Sequence, residues 1–431
     1  MSTLILTLAE ELQKKITTLG KGVAREVTLP NISNKIMVAI GMRRTGKSYF
    51  LLQAIKQLHR QEKITLSRIL YLNFEDDRLF PLTTQKFSDL LDSFYSTHPE
   101  NHDQLCYLFL DEIQNVDNWQ QVIRRYFDTK KVKIYLTGSS AKLLSKEIAT
   151  SLRGRSIATE IWPFSFTEFL KAKKISLPKT YGQRSLDILT THLKIYIKQG
   201  GFPEINCFPS DSEITQEDRQ RILQDYLSVV IFHDIVERHN ITNISLVRYM
   251  LNFLLKQVGH SFSIHKFHND LKSQGFAVSK TTVHDYLSYI EDAYLAFAVP
   301  LYSESLRKVQ SNPRKIYAID TGLINACTFG FAENIGHYFE NLIYLDLRRA
   351  RHEIYYYLTA TRKEIDFLTR DPQGKWHLFQ VCWNVEKHET LEREVTALEE
   401  AEKELHIKGE CITPTTYFTF FLPTIQNHKT L

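Results

Sequence analysis

The chain has 431 residues, of which 43% are hydrophobic and 24% are charged. These proportions are those of a folded protein of about three domains, and they argue against a largely disordered chain, a collagen or a coiled coil. Lysine and arginine (54) exceed aspartate and glutamate (49), a small surplus that is compatible with nucleic acid binding but does not require it.

The cysteines and the N-terminus indicate a protein of a reducing compartment. The five cysteines are scattered and form no C-x-x-C pair, which argues against a disulfide framework or a structural zinc site. The opening MSTLILTLAEELQKK is typical of an amphipathic helix and not of a signal peptide. No apolar run approaches the roughly 18 residues of a membrane helix, so we expect no membrane contact and a cytoplasmic location.

After an N-terminal helix within residues 1–30, short apolar runs alternate with amphipathic helical stretches. Each run is rich in β-branched or aromatic residues and stops at a polar or glycine-containing turn. Continuous apolar strands separated by helices are the pattern of a parallel sheet covered on both faces. The runs span 35–41, 68–74, 105–111 and 132–138, and 157–164 is a candidate fifth strand.

Directly after the first run, residues 41–48 have the sequence GMRRTGKS, which matches the pattern G-x-x-x-x-G-K-[ST]. Glycines let backbone N–H groups curl around phosphate oxygens, and the N-terminus of the following helix adds positive potential. We expect Lys47 to reach the β- and γ-phosphates of ATP and Ser48 to ligate Mg²⁺. The predicted nucleotide-binding residues are Gly41, Arg43, Arg44, Thr45, Gly46, Lys47, Ser48, Tyr49, Thr137 and Ser139.

The third and fourth runs end in polar residues that complete this site. The third ends in the pair Asp111-Glu112, which places Asp111 beside the metal and lets Glu112 polarise the attacking water. The fourth ends at Leu136-Thr137-Gly138-Ser139, where Thr137 or Ser139 would contact the γ-phosphate or the water. An ordinary strand-to-helix cap is the alternative interpretation of these two hydroxyls.

Two arginines, Arg153 and Arg155, flank Gly154 further along the chain. In an oligomeric ATPase, such arginines reach the γ-phosphate bound by a neighbouring subunit and stabilise the charge of the transition state. We therefore predict a homo-oligomer in which Arg153 or Arg155 is catalytic in trans. The alternative is a surface or intrachain salt bridge.

Several segments together resemble a family of prokaryotic predicted ATPases of the AAA+ superfamily. In that family the core is followed by a winged-helix segment and by a C-terminal domain of uncharacterised function that resembles PD-(D/E)xK nucleases. The resemblance covers nearly the whole chain but supplies no substrate beyond ATP. The segments are GMRRTGKS (41–48), YLNFEDDRL (71–79), YLFLDEIQNV (107–116), LTGSSAKLLS (136–145), SLRGRS (151–156), WPFSFTEF (162–169), GGFPE (200–204) and the junction NPRKIYAIDTGLINA (312–326).

The resemblance and the element pattern imply an α/β protein in four parts. A P-loop NTPase (AAA+-like) parallel sheet with a helical lid is followed by a winged-helix domain and a restriction-endonuclease-like α/β domain. The predicted parts are the ATPase core (1–180), the lid (181–243), the winged-helix domain (244–315) and a degenerate PD-(D/E)xK nuclease-like domain (316–431).

The winged-helix candidate is the part that would contact DNA. Its order is three helical segments followed by an extended piece, and it holds nine lysines and arginines against five acidic residues. Acidic residues also follow on the candidate recognition helix, and winged helices serve as protein modules too. DNA contact and a structural or oligomerisation role both stay open. The residues that would face DNA are Ser279, Lys280, Thr281, Thr282 and His284.

The last part has the element order of a restriction-type nuclease. A helix carries Glu340, one strand carries Glu364-x-Asp366, and the next carries Gln380-x-Cys382. Active members have a carboxylate and a lysine at the last two positions, where the carboxylate binds Mg²⁺ and the lysine positions the nucleophile. An amide ligates Mg²⁺ poorly, and a thiol cannot replace an ammonium.

These replacements predict the loss of nuclease activity. We expect Glu340 and Asp366 to lack partners, with Lys363 or Lys387 as the lysines that would have to take over the missing role. The charged helix that follows is expected to lead into an extended tail, and the aromatic clusters at 355–357 and 417–421 are expected to be core strands.

The sequence thus predicts an Mg²⁺-dependent ATPase with two alternatives for what hydrolysis drives. One is a DNA-associated motor or switch that uses the winged helix. The other is a regulatory switch whose C-terminal domains bind proteins, without nucleic acid binding or nuclease activity.

Overall fold

The computed structural model describes residues 1–20, 22–30, 32–139, 154–208, 213–328, 334–384 and 388–429. The chain divides into two units, Met1–Trp162 and Pro163–Leu431. The finer division into four parts stays a prediction. Among the described helices, none is long and apolar enough to cross a membrane.

A parallel sheet forms the centre of the first unit. Its order is β2-β3-β4-β1-β5, and every neighbouring pair is parallel. The four runs and the candidate fifth strand all form strands, which confirms the predicted parallel α/β sheet. The strands are β1 (Ile36–Ile40), β2 (Ile69–Asn73), β3 (Cys106–Asp111), β4 (Val132–Gly138) and β5 (Ser156–Glu160).

Helices α1 and α2 cover one face of this sheet. Leu12 of α1 and Leu51 of α2 pack with Tyr71 and Phe109 of the strands in one buried cluster, and each such side chain contributes about 1.5–3 kcal/mol on burial. This packing fixes the start of α2 relative to the strand ends. The helices of the unit are α1 (Ser2–Thr18), α2 (Lys47–Arg60), α3 (Thr84–Thr97) and α4 (Trp119–Thr129).

The strand register brings three polar segments to one edge of the sheet. Because β4 lies between β1 and β3, its end faces the ends of both neighbours. Ile40 pairs with Gly138 and Leu110 pairs with Leu136. The loop after β1, the carboxylate pair after β3 and the hydroxyls at the end of β4 therefore meet.

The second unit opens with helices. The predicted interruption at GGFP is present: one helix ends at Gln199, and Gly200 adopts a φ of 78°. A Cβ at Gly200 would collide with the carboxylate of Asp320, so this turn requires glycine. The helices are α5 (Phe166–Ala172), α6 (Gln183–Gln199), α7 (Pro203–Asn206) and α8 (Gln216–Val229), the last continued by a π-helical stretch (Val230–Glu237).

A three-stranded antiparallel sheet with four helices follows among the described residues, and its strand order is β6-β8-β7. The three predicted helices and the extended piece are present, and the winged-helix assignment stays a proposal. The predicted boundary at residue 315 falls inside the last strand. The elements are α9 (Ile244–Lys256), β6 (Ser261–Phe262), α10 (Ile264–Ser273), α11 (Lys280–Asp292), β7 (Ala296–Val299), α12 (Leu306–Ser311) and β8 (Arg314–Ala318).

The chain ends in a four-stranded sheet of order β12-β11-β10-β9. β9, β10 and β11 are antiparallel neighbours, and β12 is parallel to β11. The elements are α13 (Thr321–Cys327), α14 (Ile335–Arg349), β9 (Glu353–Leu358), β10 (Glu364–Arg370), β11 (Trp376–Val381), α15 (His388–Leu405) and β12 (Gly409–Ile412).

The prediction of an extended tail after α15 is wrong for the residues that follow β12. Residues 414–429 are helical, comprising α16 (Pro414–Thr416), a π-helical turn (Tyr417–Phe421) and α17 (Leu422–Lys429). The aromatic cluster at 417–421 is buried core, as expected, but it is not a strand. The reason is spacing: the buried positions 417, 418 and 421 lie on one face of a helix. The cluster at 355–357 does lie in a strand, β9.

Candidate active site

The loop between β1 and α2 has a backbone conformation that requires glycine at two positions. Gly41 has a φ of 153°, and a Cβ there would collide with the carbonyl oxygen of Ile161. Gly46 has a φ of 92° in the left-handed region, and α2 begins at the next residue. Both positions require glycine, and the loop delivers the helix N-terminus that favours an anion.

Lys47 is held over this loop. Its side chain is 4% exposed, and Nζ donates to the carbonyl oxygens of Gly41 and Met42, each at 3.1 Å. The same Nζ lies 3.5 Å from Oε1 of Glu112. The ammonium and the carboxylate therefore converge on one point at the edge of the sheet.

Asp111 is fully buried beside the start of α2. Its carboxylate accepts hydrogen bonds from the hydroxyls of Thr137, Ser48 and Tyr71, the last at 2.9 Å. Burial raises the pKa of Asp111, against the hydrogen bond from Thr137, which lowers it. Burial and the Asp111 carboxylate raise the pKa of Tyr71, so the phenol keeps its proton and is a donor. Asp111 and Ser48 together present the hard oxygen ligands that Mg²⁺ prefers.

Glu112 has a strained backbone and a tightly held carboxylate. Its φ is 55°, a conformation that non-glycine residues keep mainly at functional sites. Its N–H donates to Oγ1 of Thr137 at 2.9 Å, and its Oε2 accepts from Nε2 of Gln114 at 2.5 Å. Burial would raise the pKa of Glu112, but Lys47, Gln114 and Arg43 together outweigh it and the pKa is lowered. The side chain is therefore an ionised base.

The two sensor candidates at the end of β4 have different environments. The hydroxyl of Thr137 donates to the Asp111 carboxylate and accepts from the backbone N–H of Glu112, so it fixes that carboxylate and the Glu112 backbone. The hydroxyl proton of Thr137 is thus already donated to Asp111. Ser139, buried one residue beyond β4, stays the candidate for contact with the γ-phosphate.

The remaining P-loop residues differ in how deeply they are buried. Arg43 pairs with Glu75 at 2.8 Å, and Arg44 is exposed with a φ of 67°. Thr45 is buried, and its hydroxyl donates to the carbonyl oxygen of Met42 at 3.0 Å. Thr45 therefore stabilises the loop from within, whereas the two arginines line its outer side.

The N-terminal segment also contacts the P-loop. The hydroxyl of Tyr49 lies 3.5 Å from the carbonyl oxygen of Gly20. Arg25, which the sequence did not single out, donates to the carbonyl oxygens of Thr45 at 3.0 Å and Trp162 at 2.5 Å. Arg25 thus anchors the loop that would carry the phosphates.

The two candidate arginines cannot both be placed. Arg153 lies outside the described residues. Arg155 precedes β5 and pairs with both carboxylate oxygens of Asp128, at 2.5 and 2.7 Å. Its carbonyl oxygen accepts from the N–H of Ile36, at the start of β1. The P-loop follows the end of β1, so Arg155 lies at the opposite edge of the sheet from its own P-loop.

Comparison with known proteins identifies the type of domain that contains the P-loop. A family model described as an AAA domain matches residues 33–170, and two models described as domains of unknown function match 190–334 and 335–421. Uncharacterized protein MJ1544 of Methanocaldococcus jannaschii is 38% identical over 407 residues, which cover 94% of this chain and 87% of that protein. An uncharacterized protein of Haemophilus influenzae is 30% identical over 336 residues, which cover 78% and 79%.

The chain belongs to the family of these two proteins. Its N-terminal part is an AAA domain, the P-loop ATPase type that the motifs predict. The solved ORC2 protein of Aeropyrum pernix, in its ADPNP-ADP complexes, overlaps 79% of this chain and 93% of that one at 12% identity. Its TM-score of 0.37 is too low to establish a common fold.

Around the P-loop, sequence reasoning missed three side chains that position others: Tyr71, Gln114 and Arg25. Their partners include Asp111, which lies 40 positions from Tyr71. The segments YLNFEDDRL and YLFLDEIQNV contained two of the three, and nothing in the sequence pointed to Arg25.

The expectation that Glu340 and Asp366 lack partners is wrong. Lys315 of β8 forms ion pairs with both. The contact arises because side chains of β8, α14 and β10 meet in space, which the sequence does not show. Lys363, one of the two lysines considered for the role, pairs with Glu400 at 3.1 Å, and Lys387 lies outside the described residues.

Proposed function

We propose that this protein binds ATP with Mg²⁺ and hydrolyses it at the P-loop of its AAA domain. The observation that carries the proposal is the convergence of the Lys47 ammonium and the Glu112 carboxylate, 3.5 Å apart, beside the buried Asp111. A phosphate-binding cation, a base and a metal-binding carboxylate are the parts that phosphoryl transfer to water needs.

The donor set fits the nucleotide and its metal ion. The N-terminus of α2 and Lys47 would bind the phosphates, and Ser48 with Asp111 would hold Mg²⁺. When bound, the ion neutralises charge that develops on the β- and γ-phosphate oxygens. The hydroxyls of Tyr71 and Thr137 keep the Asp111 carboxylate in place.

Glu112 is the group that activates water in this proposal. Its ionised carboxylate orients a water molecule and accepts its proton as the water oxygen bonds to the γ-phosphorus. The bond from that phosphorus to the bridging oxygen breaks, and ADP leaves. Gln114 fixes one carboxylate oxygen and Thr137 fixes the backbone, so Glu112 needs little reorientation.

The test is ATP hydrolysis by Lys47→Ala against a matched lysine variant. Lys47→Ala should abolish turnover and weaken ATP binding, because the phosphates lose their ammonium partner. Lys14→Ala, at an exposed position of α1, should behave as wild type. Wild-type turnover by Lys47→Ala, or no Mg²⁺-dependent turnover by the wild type, would refute the proposal.

A second proposal concerns what hydrolysis serves, namely a DNA-associated motor or switch. Lys280, Thr281 and His284 are exposed on the first half of α11. Ser279 caps the helix by accepting from the N–H of Thr282, and their hydroxyls lie 2.9 Å apart. Capping thus engages two of the five predicted DNA-facing residues and leaves three on the surface.

Binding to duplex DNA at several salt concentrations tests this second proposal. Affinity should fall steeply with salt, and Lys280→Glu should weaken binding on all sequences and reduce the salt slope by about one. Lys14→Glu is the matched charge reversal on an exposed helix. If the wild type does not bind at low salt, with or without ATP, the protein-interaction alternative replaces this proposal.

A further inference from the structure

A buried lysine sits among three carboxylates in the second unit. Lys315 of β8 is 1% exposed. Its Nζ lies 2.8 Å from Oε1 of Glu340, 2.9 Å from Oε1 of Glu364 and 2.9 Å from Oδ1 of Asp366. The contact with Asp366 is a hydrogen bond, and the other two are ion pairs.

Other polar groups of the cluster also form hydrogen bonds within the protein. Oε1 of Glu340 accepts a hydrogen bond from Tyr317 at 2.7 Å, and Oδ2 of Asp366 accepts from the N–H of Val381 at 2.9 Å. Gln380 accepts from the N–H of Asp366 at 3.1 Å and donates to Glu394 at 2.5 Å. The amide that replaces a metal-binding carboxylate therefore has a structural role.

The charges of Lys315 and Glu340 stabilise each other. Burial alone would lower the pKa of Lys315, but the surrounding acidic groups together outweigh it and raise the pKa well above its ordinary value. Burial would raise the pKa of Glu340, but Lys315, His337 and Tyr317 together outweigh it and the pKa is lowered. Burial and the Glu340 charge raise the pKa of Asp366. Lys315 is thus a permanent cation that the carboxylates hold.

We propose that the ammonium of Lys315 is the built-in cation of this carboxylate cluster and excludes a divalent metal ion from it. The PD-(D/E)xK resemblance implies Mg²⁺ between these carboxylates and a lysine beside them, but here the lysine occupies the centre. This inference goes beyond the ATPase proposal and does not depend on it.

The same strand makes further contacts that give the cation a structural purpose. The side chain of Asn341 bonds the N–H and carbonyl of Ala318 at 2.7 and 3.1 Å. The hydroxyl of Tyr356 donates to the carbonyl of Pro313 at 2.6 Å. Lys315 is therefore the charged centre of a seam that joins β8 to α14, β9 and β10.

Removal of the ammonium should turn the cluster into a cation site. Glu340 and Asp366 are buried, so without their counter-ion they carry a large charge cost, and hard cations bind carboxylate oxygens. A cavity of about 730 Å³ borders the cluster and is also lined by Trp383. Tb³⁺ bound there would emit when tryptophan is excited, which makes it a direct probe.

The experiment uses the full chain without nucleotide, in an Asp111→Asn background that removes the metal ligand of the AAA domain. The parent and Lys315→Arg should show no saturable Tb³⁺ emission. Lys315→Met should gain it, and Lys315→Met with Asp366→Asn should lose it again. In parallel, Mn²⁺ should raise the melting temperature of Lys315→Met and leave that of the parent unchanged, since a ligand stabilises only the fold that binds it.

Two results would overturn the proposal. The first is saturable emission from the parent that Asp366→Asn removes, because the lysine would then not exclude the ion. The second is a folded Lys315→Met chain without the gained site. If Lys315→Met is unfolded in chelator, Mn²⁺ should refold it, and a chain that stays unfolded in Mn²⁺ also counts against the proposal.

Discussion

The ammonium of Lys47 lies 3.5 Å from the carboxylate of Glu112, although the two residues come from different strand ends. Both side chains are almost fully buried, so the pair is little screened by solvent. A γ-phosphate held by Lys47 would lie within reach of a water held by Glu112. In the proposed mechanism, this pair would link phosphate binding to water activation.

Glu112→Gln should keep ATP binding and lose hydrolysis. Glutamine cannot accept the water proton, while Asp111 and Ser48 still hold the metal. We expect turnover to fall by about 10²- to 10⁴-fold, with nucleotide affinity unchanged or higher because Lys47 loses its competing anion. Single-turnover kinetics and nucleotide titration measure both, with the exposed Glu62→Gln as control. Wild-type turnover by Glu112→Gln would remove Glu112 from the role of base.

Tyr71→Phe should lower the affinity for Mg²⁺ with little effect on the stability of the fold. Its hydroxyl bonds Oδ2 of Asp111 at 2.9 Å, and loss of a hydrogen bond to a metal ligand typically costs 10- to 100-fold in metal affinity. The Mg²⁺ concentration for half-maximal hydrolysis should rise, with the rate recovering at high Mg²⁺. Tyr135→Phe removes a hydroxyl from the same buried cluster and is the control. An equal shift in both variants would show that Tyr71 does not act on Asp111.

The protein should not cleave DNA in Mg²⁺ or Mn²⁺. Gln380 and Cys382 stand where a carboxylate and a lysine are needed, and Lys315 already engages Glu340 and Asp366. Linear, circular and single-stranded DNA should remain intact after incubation with the purified chain. Cleavage that disappears in Asp366→Ala would contradict this prediction, whereas cleavage that persists in Asp366→Ala would indicate a contaminating nuclease.

Hydrolysis should depend on assembly if Arg155 acts on a neighbouring subunit. Its position at the opposite edge of the sheet prevents action on its own P-loop, and such an arginine can contribute 10³- to 10⁵-fold in rate. Specific activity should rise with protein concentration. Inactive Arg155→Ala and Lys47→Ala chains, when mixed, should recover some activity, because a mixed interface pairs an intact P-loop with an intact arginine.

The alternative for Arg155 is its exposed ion pair with Asp128, which would contribute at most about 1 kcal/mol. In that case Arg155→Ala would hydrolyse ATP normally and resemble Asp128→Asn. Light scattering after size exclusion must show that the subunits mix. Activity per subunit that is flat on dilution, together with a mixture that stays inactive, would leave the arginine only its intrachain role.

Local patterns in the sequence determined the parallel sheet, the P-loop and the carboxylate pair. Apolar runs that end in polar residues specify buried parallel strands, and the P-loop pattern occurs within eight consecutive residues. These signals depend on the order of neighbouring residues, so one chain is enough to find them. The helical tail after β12 was missed because five aromatic-rich residues (417–421) suit a strand and a helix face equally well.

Tertiary structure decided which distant side chains complete each site. Tyr71 meets Asp111 because β2 and β3 are neighbours, and Arg25 reaches Thr45 from the segment after α1. Lys315 meets Asp366 across 51 positions of sequence. A lysine in a strand carries no local mark of its partner, because an ion pair depends on distance in space and not on position in the chain. The sequence therefore predicted a cluster without a counter-ion, and only the contacts of β8 with α14 and β10 revealed the cation at its centre.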